Sequence, residues 1–211
     1  MLLAQPRLDP DETAVRQIER LGFSADEVRH IIVTHLDLDR AGGLSDFPLA
    51  QVHLLDAEWR AASNLTTFTA RYRYYEKQWE HNPRWVRYSS QGECWKGFEG
   101  VRQLEGLPPE ILPVPLVGHT CGHVGVAVYT NGRGLLHAGD AYYFRGEMDS
   151  KKPHCPIGLT LVQRLGTVDN RARRLNQQRL RQLACEQSGD ACIFCSHDLV
   201  EFERYGVSKV S

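Results

Sequence analysis

The spacing of apolar side chains in the first third of the chain predicts alternating helices and strands. Residues 9–12 are typical of a helix start, and apolar side chains then recur at helical spacing up to Gly22. Apolar runs at 30–34 and 52–55 predict two strands, and residues 57–62 favour a helix. This part of the chain is therefore predicted to contain both helices and strands.

The second half is rich in predicted strands and then becomes helical. Residues 124–129 and 134–138 flank an Asn-Gly dipeptide and predict a β-hairpin. Prolines in 111–116 allow an extended segment but disfavour a central strand. The remaining predicted elements are a long helix from about Leu161 to Cys185, a last strand over 191–195 and a final helix over 199–205.

Residues 59–98 differ from the rest because they hold ten of the nineteen aromatic side chains. Two interpretations stay open. The segment is either ordinary packed structure, or an insertion or cap at about 59–105 that lines a ligand pocket or a partner surface. In both cases the 211 residues fit a single domain over 1–211.

Composition limits the classes of partner and the compartment. The formal net charge of −1 gives no general attraction to nucleic acid or to an anionic membrane, so both are unlikely partners. Residues 1–6 are too short for a signal peptide, and no apolar run approaches the length of a membrane span. Without a secretory signal the six cysteines are expected to stay reduced, which predicts a cytoplasmic location.

Candidate chemistry begins directly after the first predicted strand. In an extended segment His35, Asp37 and Asp39 project to one side, while the leucines between them project to the other. One imidazole and two carboxylates in one place cost free energy unless a cation or a hydrogen-bond network compensates them. A solvated polar loop is the competing interpretation, and the rest of the chain must decide between the two.

Three further clusters of histidine and aspartate lie next to predicted strands. Residues 118–123 contain Gly-His-Thr-Cys-Gly-His, Asp140 follows the strand that ends at 138, and residues 196–198 are Ser-His-Asp. Any one of them is explained by a turn or by a satisfied histidine. Four such clusters together indicate a metal site.

The order of these clusters resembles the metallo-β-lactamase-fold hydrolases. It runs His-x-Asp-x-Asp-x-x-Gly-Gly, Gly-His-Thr-x-Gly-His, Gly-Asp and Ser-His-Asp, and the resemblance spans about residues 15–205. It implies an α/β (α+β) fold, the four-layer αββα sandwich, with one or two metal ions, usually zinc, at one edge. Known members include β-lactamases, lactonases that degrade acyl-homoserine lactones, hydroxyacylglutathione hydrolases, arylsulfatases and nucleases, so the fold alone does not give the small-molecule substrate.

Transferred by position, the resemblance implies six metal ligands. They are His35, Asp37 and His119 at the first metal, Asp39 and His197 at the second, and Asp140 as a bridge between the two. The implied activity is that of a metal-dependent hydrolase that uses metal-activated water on an ester, lactone, thioester or amide bond. Water bound to such ions has its pKa lowered towards ~7.

The resemblance also implies roles for residues near the ligands. Asp39 would orient the water, and Tyr143 matches a tyrosine that in the lactonases contacts the substrate carbonyl or the developing oxyanion. Ordinary packing explains Tyr143 equally well. Arg40, His123 and His154 are expected to lie behind the ligands or beside the substrate.

Arg40 is the first departure from the family pattern, because lactonases and hydroxyacylglutathione hydrolases have a histidine ligand of the second metal at this position. Arginine does not ligate a cation at any ordinary pH. We therefore expect tight binding at the first site and weaker binding at the second, with activity reduced accordingly.

Asp37 is the second departure, because the family usually has histidine there. Oxygen-rich ligation shifts the preference towards iron or manganese, and the flavodiiron branch has a carboxylate at this place. An iron-dependent oxidoreductase of the same fold is therefore one alternative. A degenerate member that binds a ligand without turnover is another.

The third departure concerns the segment before His35. Family members usually place hairpins of the first sheet there, whereas these 34 residues favour helices. The sequence therefore predicts a sandwich that lacks part of its N-terminal sheet, either because the native start lies upstream or because a partner chain completes the sheet. An open sheet edge favours pairing, so a homodimer is one expectation.

Overall fold

The fold was analysed in a computed structural model that describes residues 8–130, 133–186 and 191–205. The described chain starts with helical turns, as the spacing predicts. A 3-10 turn at Pro10–Glu12 leads into α1 (Ala14–Arg20), which ends before Gly22 at a φ of +88°. A backbone angle in this region favours glycine, so the predicted helix end is confirmed. Within residues 8–29 the structure describes helical turns and no strand.

The first sheet contains three parallel strands in the order β1-β2-β3. They are β1 (His30–Ile32), β2 (Gln51–Leu55) and β3 (Arg84–Tyr88). Side chains of β2 alternate between the two faces, as the period of a strand requires. Val52 and Leu54 pack in the cluster that contains Ala62 of α2 (Asp56–Ala62), whereas Leu55 packs against Val124 of the other sheet.

The aromatic-rich segment is part of both cores. It forms α3 (Phe68–Arg73), a 3-10 turn at Glu76–Trp79, strand β3, and the hairpin of β4 (Glu93–Trp95) and β5 (Phe98–Val101). Tyr74 and Trp79 are buried in the first-sheet core, and Phe98 is buried in the core of the second sheet. Much of the segment is therefore packed structure, and α3 additionally brings a side chain to the candidate site described below.

The second sheet contains four strands in the order β6-β7-β8-β9. They are β6 (Ile111–Pro115), β7 (Val124–Thr130), β8 (Arg133–His137) and β9 (Ala191–Phe194). The antiparallel pairing of β7 with β8 confirms the predicted hairpin, whose Asn-Gly turn lies outside the described residues. Strand β6, with its two prolines, has one hydrogen-bonded neighbour in this sheet, as expected for an edge strand.

The predicted single helix over 161–185 is wrong, because the structure has two helices there. These are α4 (Ile157–Leu165) and α5 (Asn170–Glu186). The side chain of Asp169 accepts hydrogen bonds from the backbone N–H groups of Arg171 and Ala172, which is the capping that starts a new helix. The link is also anchored, because the N–H groups of Val168 and Asp169 donate to the carbonyl of Gly118. The final helix, α6 (Leu199–Tyr205), is where the sequence predicts it.

The elements stack in four layers. Helix α2 packs on β2 and β3, Leu55 and Tyr88 of the first sheet meet Val124 of the second, and α5 packs on the opposite face of the second sheet near β9. The predicted α/β sandwich is thereby confirmed. In the described ranges no helix is long and apolar enough to cross a membrane. All six cysteines are free thiols.

Candidate metal centre

The predicted ligands lie in loops that leave the ends of strands in both sheets. One loop follows β1 and another connects β6 to β7. Two more loops follow β8 and β9. Polar groups from loops of this kind can converge because the strands hold the loop ends at fixed positions. The loops contribute, in this order, His35 with Asp37 and Asp39, then His119, Asp140 and His197.

Four side-chain atoms form a compact cluster at this edge. His35 Nε2 is 3.8 Å from Oδ2 of both Asp37 and Asp140. His119 Nε2 is 3.1 Å from Asp37 Oδ2 and 3.6 Å from Asp140 Oδ2. In a tetrahedral site with metal–ligand bonds of about 2.0–2.2 Å, neighbouring ligand atoms are about 3.3–3.6 Å apart. The four distances of 3.1–3.8 Å are close to this range, and potential ligand atoms of His35, His119 and Asp140 all lie within 4.8 Å of one another, so the cluster has the approximate dimensions of a metal site.

His35 places a buried polar atom at this cluster. Its Nε2 atom is buried and has no hydrogen-bond partner within the described part of the chain, while its Nδ1 atom is 3.0 Å from Thr34 Oγ1. Burial lowers the pKa of His35 well below its usual value, so the imidazole is neutral. Buried polar atoms are almost always paired. A metal ion bound to the lone pair of His35 Nε2 would give this atom the partner that it lacks.

Asp140 is held ionised by its neighbours. Burial acts to raise its pKa, but the hydrogen bond with His197 and the positive charge of Arg40 hold this pKa well below the usual range. Its Oδ1 atom bonds to Arg40 Nη2 at 2.6 Å, and its Oδ2 atom faces the two histidines of the cluster. One oxygen of this carboxylate therefore binds the guanidinium of Arg40, and the other faces histidines.

Arg40 occupies the position expected for the second metal. Its Nη2 atom lies 2.6 Å from Asp140 Oδ1, 2.9 Å from His197 Nε2 and 3.5 Å from Asp39 Oδ2, so it approaches all three ligands predicted for that metal. His197 Nε2 is also 3.0 Å from Asp140 Oδ2. A single ring nitrogen does not donate to Asp140 and accept from Arg40 at once, so only one of the two contacts of His197 is a hydrogen bond.

Arg73 contacts the first cluster from α3. Its Nη1 atom lies 2.9 and 2.6 Å from the two oxygens of Asp37 and 3.4 Å from His119 Nε2, and its Nη2 donates to the carbonyl of Gly166. Burial acts to raise the pKa of Asp37, but the His119 hydrogen bond and the positive charge of Arg73 lower it. The sequence gives no signal for Arg73, because it lies in a segment without a motif.

The residues predicted to act on water or substrate surround the cluster. Asp39 has 59% of its side chain exposed, and it groups with His35 and Asp37 such that potential ligand atoms of all three lie within 4.8 Å of one another. The ring of Tyr143 is 4.5 Å from that of His197 and 6.1 Å from that of His119. Burial and nearby carboxylates raise the pKa of Tyr143, so its hydroxyl keeps its proton.

His123 supports the cluster from behind. It is fully buried, its Nδ1 lies 2.9 Å from the carbonyl oxygen of Leu116, and its Nε2 accepts the backbone N–H of Asp140 at 2.9 Å. Burial lowers its pKa to about 4, so it is a neutral imidazole. A Cβ on Gly139 would lie 2.5 Å from His123 Nε2, which explains the glycine before Asp140. His123 therefore fixes the backbone of the loop that carries Asp140.

His154 is not brought into the cluster. It is exposed, its ring packs edge-on to Phe144, and its Nδ1 atom is 3.2 Å from the carbonyl oxygen of Lys152. A role of this residue beside the substrate stays a prediction.

Glu58 ties together two of the loops and was not singled out by sequence analysis. It is fully buried, although it lies in the first turn of α2. Its Oε1 accepts from Leu36 N at 2.9 Å and Tyr74 Oη at 3.3 Å, and its Oε2 accepts from Thr120 Oγ1 at 2.6 Å and Gly122 N at 3.0 Å. Leu36 separates His35 from Asp37, and Thr120 follows His119. The only sequence signal is a glutamate placed directly after a buried strand, which is also an ordinary helix start.

The other two loops are anchored by buried acids as well. Glu147 accepts the N–H groups of Tyr143 and Phe144, and Glu201 accepts the hydroxyl of Tyr142 and the N–H of Cys195. These bonds connect the segments after β8 and β9. The predicted ligand loops are therefore held by carboxylates that do not themselves face the cluster.

A comparison with protein families decides the relationship. The family model described as the Metallo-beta-lactamase superfamily matches residues 7–178. The chain belongs to this superfamily. The predicted resemblance is confirmed, and with it the fold.

Relatives within the superfamily include hydrolases and lactonases. The "Probable metallo-hydrolase Rv2300c" of Mycobacterium tuberculosis is 40% identical over 187 residues, covering 89% of this chain and 60% of the relative. An "N-acyl homoserine lactonase" of a Bacillus species is 23% identical over 171 residues, covering 77% of this chain and 60% of the relative. The chain thus spans less than two thirds of the length of these metallo-β-lactamase relatives.

Solved structures show the same fold. The Bacillus thuringiensis AiiA mutant with N-decanoyl-L-homoserine bound at its active site superposes with a TM-score of 0.69 at 18% identity, covering 94% of this chain and 67% of that one. The dizinc quorum-quenching lactonase AidC gives a TM-score of 0.54 at 15% identity, covering 87% of this chain and 62% of that one. At these identities the likeness establishes the metallo-β-lactamase fold alone.

Proposed function

We propose that the chain is a metal-dependent hydrolase that cleaves an ester, lactone, thioester or amide bond of a small molecule. The observation that carries this proposal is the four-atom cluster of His35, Asp37, His119 and Asp140, in which a buried imidazole nitrogen lacks a partner. These donors fit one divalent cation. Two histidines and two carboxylates suit zinc, with iron or manganese as the alternatives.

When bound, the metal supplies a Lewis acid that lowers the pKa of a coordinated water. The chain contributes the remaining functions. Asp39 is exposed beside the cluster, where its carboxylate accepts a hydrogen bond from the attacking water and orients it. The ring of Tyr143 contacts those of His119 and His197, and its protonated hydroxyl would donate to the substrate carbonyl oxygen as negative charge develops there.

A lactone is the first substrate class to test. Several relatives bear the name N-acyl homoserine lactonase, and solved structures of the same fold contain N-acyl homoserine products. The identity to these lactonases is low over most of the chain, so ester, thioester, amide and β-lactam substrates belong in the same panel. The proposed substrate is a small molecule in every case.

The test loads the purified protein separately with zinc, manganese and iron and measures bound metal and hydrolysis of the panel. We expect a colourless zinc protein with lactone or ester turnover. His35→Ala should lose both metal and turnover, whereas His81→Ala, which changes an exposed histidine, should keep both. A protein without bound metal would refute the proposal.

Two other outcomes would select the alternatives. A visible iron absorption band with oxidoreductase activity would favour the iron enzyme, to which the carboxylate of Asp37 lends some support. Metal binding without turnover of any panel member would favour a binding protein. The observation that favours a binding protein is that Arg40 and Arg73 already contact carboxylates of the cluster.

A further inference from the structure

We propose that the guanidinium of Arg40 replaces the second metal ion. The site then holds one exchangeable metal ion, and the arginine side chain supplies the second positive charge. The inference rests on the proposed function, since it presumes a metal at the first cluster. It concerns a position where the family pattern implies a metal ligand and the chain has a cation instead.

The position of Arg40 Nη2 is the first argument. This one atom lies within 3.5 Å of a side-chain atom of Asp39, Asp140 and His197, the three predicted ligands of the second metal. A metal at that point would collide with the guanidinium, and arginine does not lose its charge to become a ligand. The residues therefore fit one metal and do not fit two.

The geometry of Asp140 is the second argument. Oδ1 is bonded to Arg40 at 2.6 Å, while Oδ2 lies 3.8 Å from His35 Nε2 and 3.6 Å from His119 Nε2. A carboxylate that bridges two metals would divide its oxygens in the same way. Arg40 thereby holds Oδ1 and leaves Oδ2 to the histidines, which include His197 Nε2 at 3.0 Å as well as His35 and His119.

The charge of the site is the third argument. Three carboxylates, those of Asp37, Asp39 and Asp140, lie with the guanidiniums of Arg40 and Arg73, and only these five groups are counted. The formal charge is then −1, and one divalent cation brings it to +1. A second divalent cation beside Arg40 would bring it to +3 in a largely buried site, which like-charge repulsion disfavours.

Metal stoichiometry tests this inference without relying on activity. Wild type, Arg40→His and Arg40→Leu are loaded with excess zinc, passed through a desalting column and analysed for zinc per chain by mass spectrometry. We expect one zinc for wild type, two for Arg40→His and at most one for Arg40→Leu, because leucine removes the cation without adding a ligand. Adding His197→Ala to Arg40→His should return the ratio to one, while His197→Ala alone should leave wild type at one.

Each contrary outcome has a distinct meaning. Two firmly retained zinc ions in wild type would overturn the inference and leave the proposed function intact. A ratio of one in Arg40→His, with its first site filled, would also overturn the inference, because restoring the ligand would not have restored the site. A wild-type protein with no zinc would overturn both the inference and the proposed function.

Discussion

Replacing Glu58 by glutamine should loosen the candidate metal site although Glu58 does not face it. The carboxylate accepts four hydrogen bonds, and its two backbone donors are divided between its oxygens. Leu36 N donates to Oε1 and Gly122 N donates to Oε2. A glutamine has one oxygen and one amide nitrogen, so in either orientation one backbone N–H must face another N–H group.

The magnitude follows from the number of donors left without an acceptor. Whichever way the amide turns, one backbone N–H is left without an acceptor. The hydroxyl on the same side then lies next to the NH2 group, and it can accept a hydrogen bond from that group instead of donating one. A buried unsatisfied donor costs about 1–3 kcal/mol, and more when its lost acceptor is charged. We therefore expect Glu58→Gln to lower the free energy of unfolding by about 2–4 kcal/mol. Since Leu36 and Thr120 flank the ligands, metal affinity should fall by about 10–100-fold, the usual loss for partners behind the ligands.

Glu147→Gln is the matched control. Glu147 is also a buried acid that anchors a loop, but both of its backbone donors, Tyr143 N and Phe144 N, bond to the same oxygen, Oε1. A glutamine can keep that oxygen in place for both backbone donors, so the mismatch is confined to the side-chain amide of Gln177, which also donates to the carbonyl of Ala141. We expect a smaller loss of stability and a metal affinity near that of wild type.

Urea unfolding of the metal-free proteins gives the stability term, and competition with a chromophoric chelator gives metal affinity. Burial raises the pKa of Glu58, while four donors favour its ionised form. If Glu58→Gln unfolds at the wild-type midpoint and binds metal as tightly, Glu58 is protonated in the native state and the argument from divided donors is refuted. An equal loss in Glu147→Gln would show that any buried acid matters and that the link to the ligand loops is not specific.

Two further predictions concern single side chains. Tyr143→Phe should lower kcat for the hydrolysed substrate about 100–1,000-fold while zinc content stays at the wild-type value, because the lost O–H donor acts on the developing oxyanion. Steady-state kinetics and metal analysis test this, and an unchanged kcat would assign Tyr143 to packing. Burial lowers the pKa of His53 to about 4 in the folded protein, so the unfolded chain binds the extra proton first as the pH falls. Stability should therefore be full above about pH 6.5 and decline towards pH 4, by up to about 3 kcal/mol, and His53→Gln should flatten this decline in urea titrations at several pH values.

The strands and the ligand loops were predictable because their signals are local. An apolar run such as β2 buries alternating side chains whatever follows it, and the His35, His119 and Asp140 clusters each lie at the end of such a run. The break between α4 and α5 was missed for the opposite reason. Gly166 and Asp169 are individually compatible with a helix, and it is the anchoring of 168–169 to the Gly118 carbonyl that separates the two helices.

Arg73 and Glu58 were beyond sequence reasoning because their roles depend on contacts between distant segments. Arg73 reaches Asp37 across 36 positions, and Glu58 bonds to Gly122 across 64. Each residue has an ordinary local explanation, one as a charge near the end of a short helix and the other as an acid in a first turn. Only the fold distinguishes these explanations from their contacts at the site.

The two substitutions in the metal motif compensate each other when the site is considered as a whole. Aspartate at 37 adds a negative charge where the family usually has a neutral histidine, and arginine at 40 adds a positive charge where it has another. In the family pattern two carboxylates would face two divalent cations, a formal charge of +2. With the single divalent cation proposed above, three carboxylates in this chain would face that cation, Arg40 and Arg73, a formal charge of +1. The proposed single-metal site thus has a formal charge similar to that of the family pattern. Arg40→His removes the guanidinium from these carboxylates, and a second metal ion should therefore bind in its place.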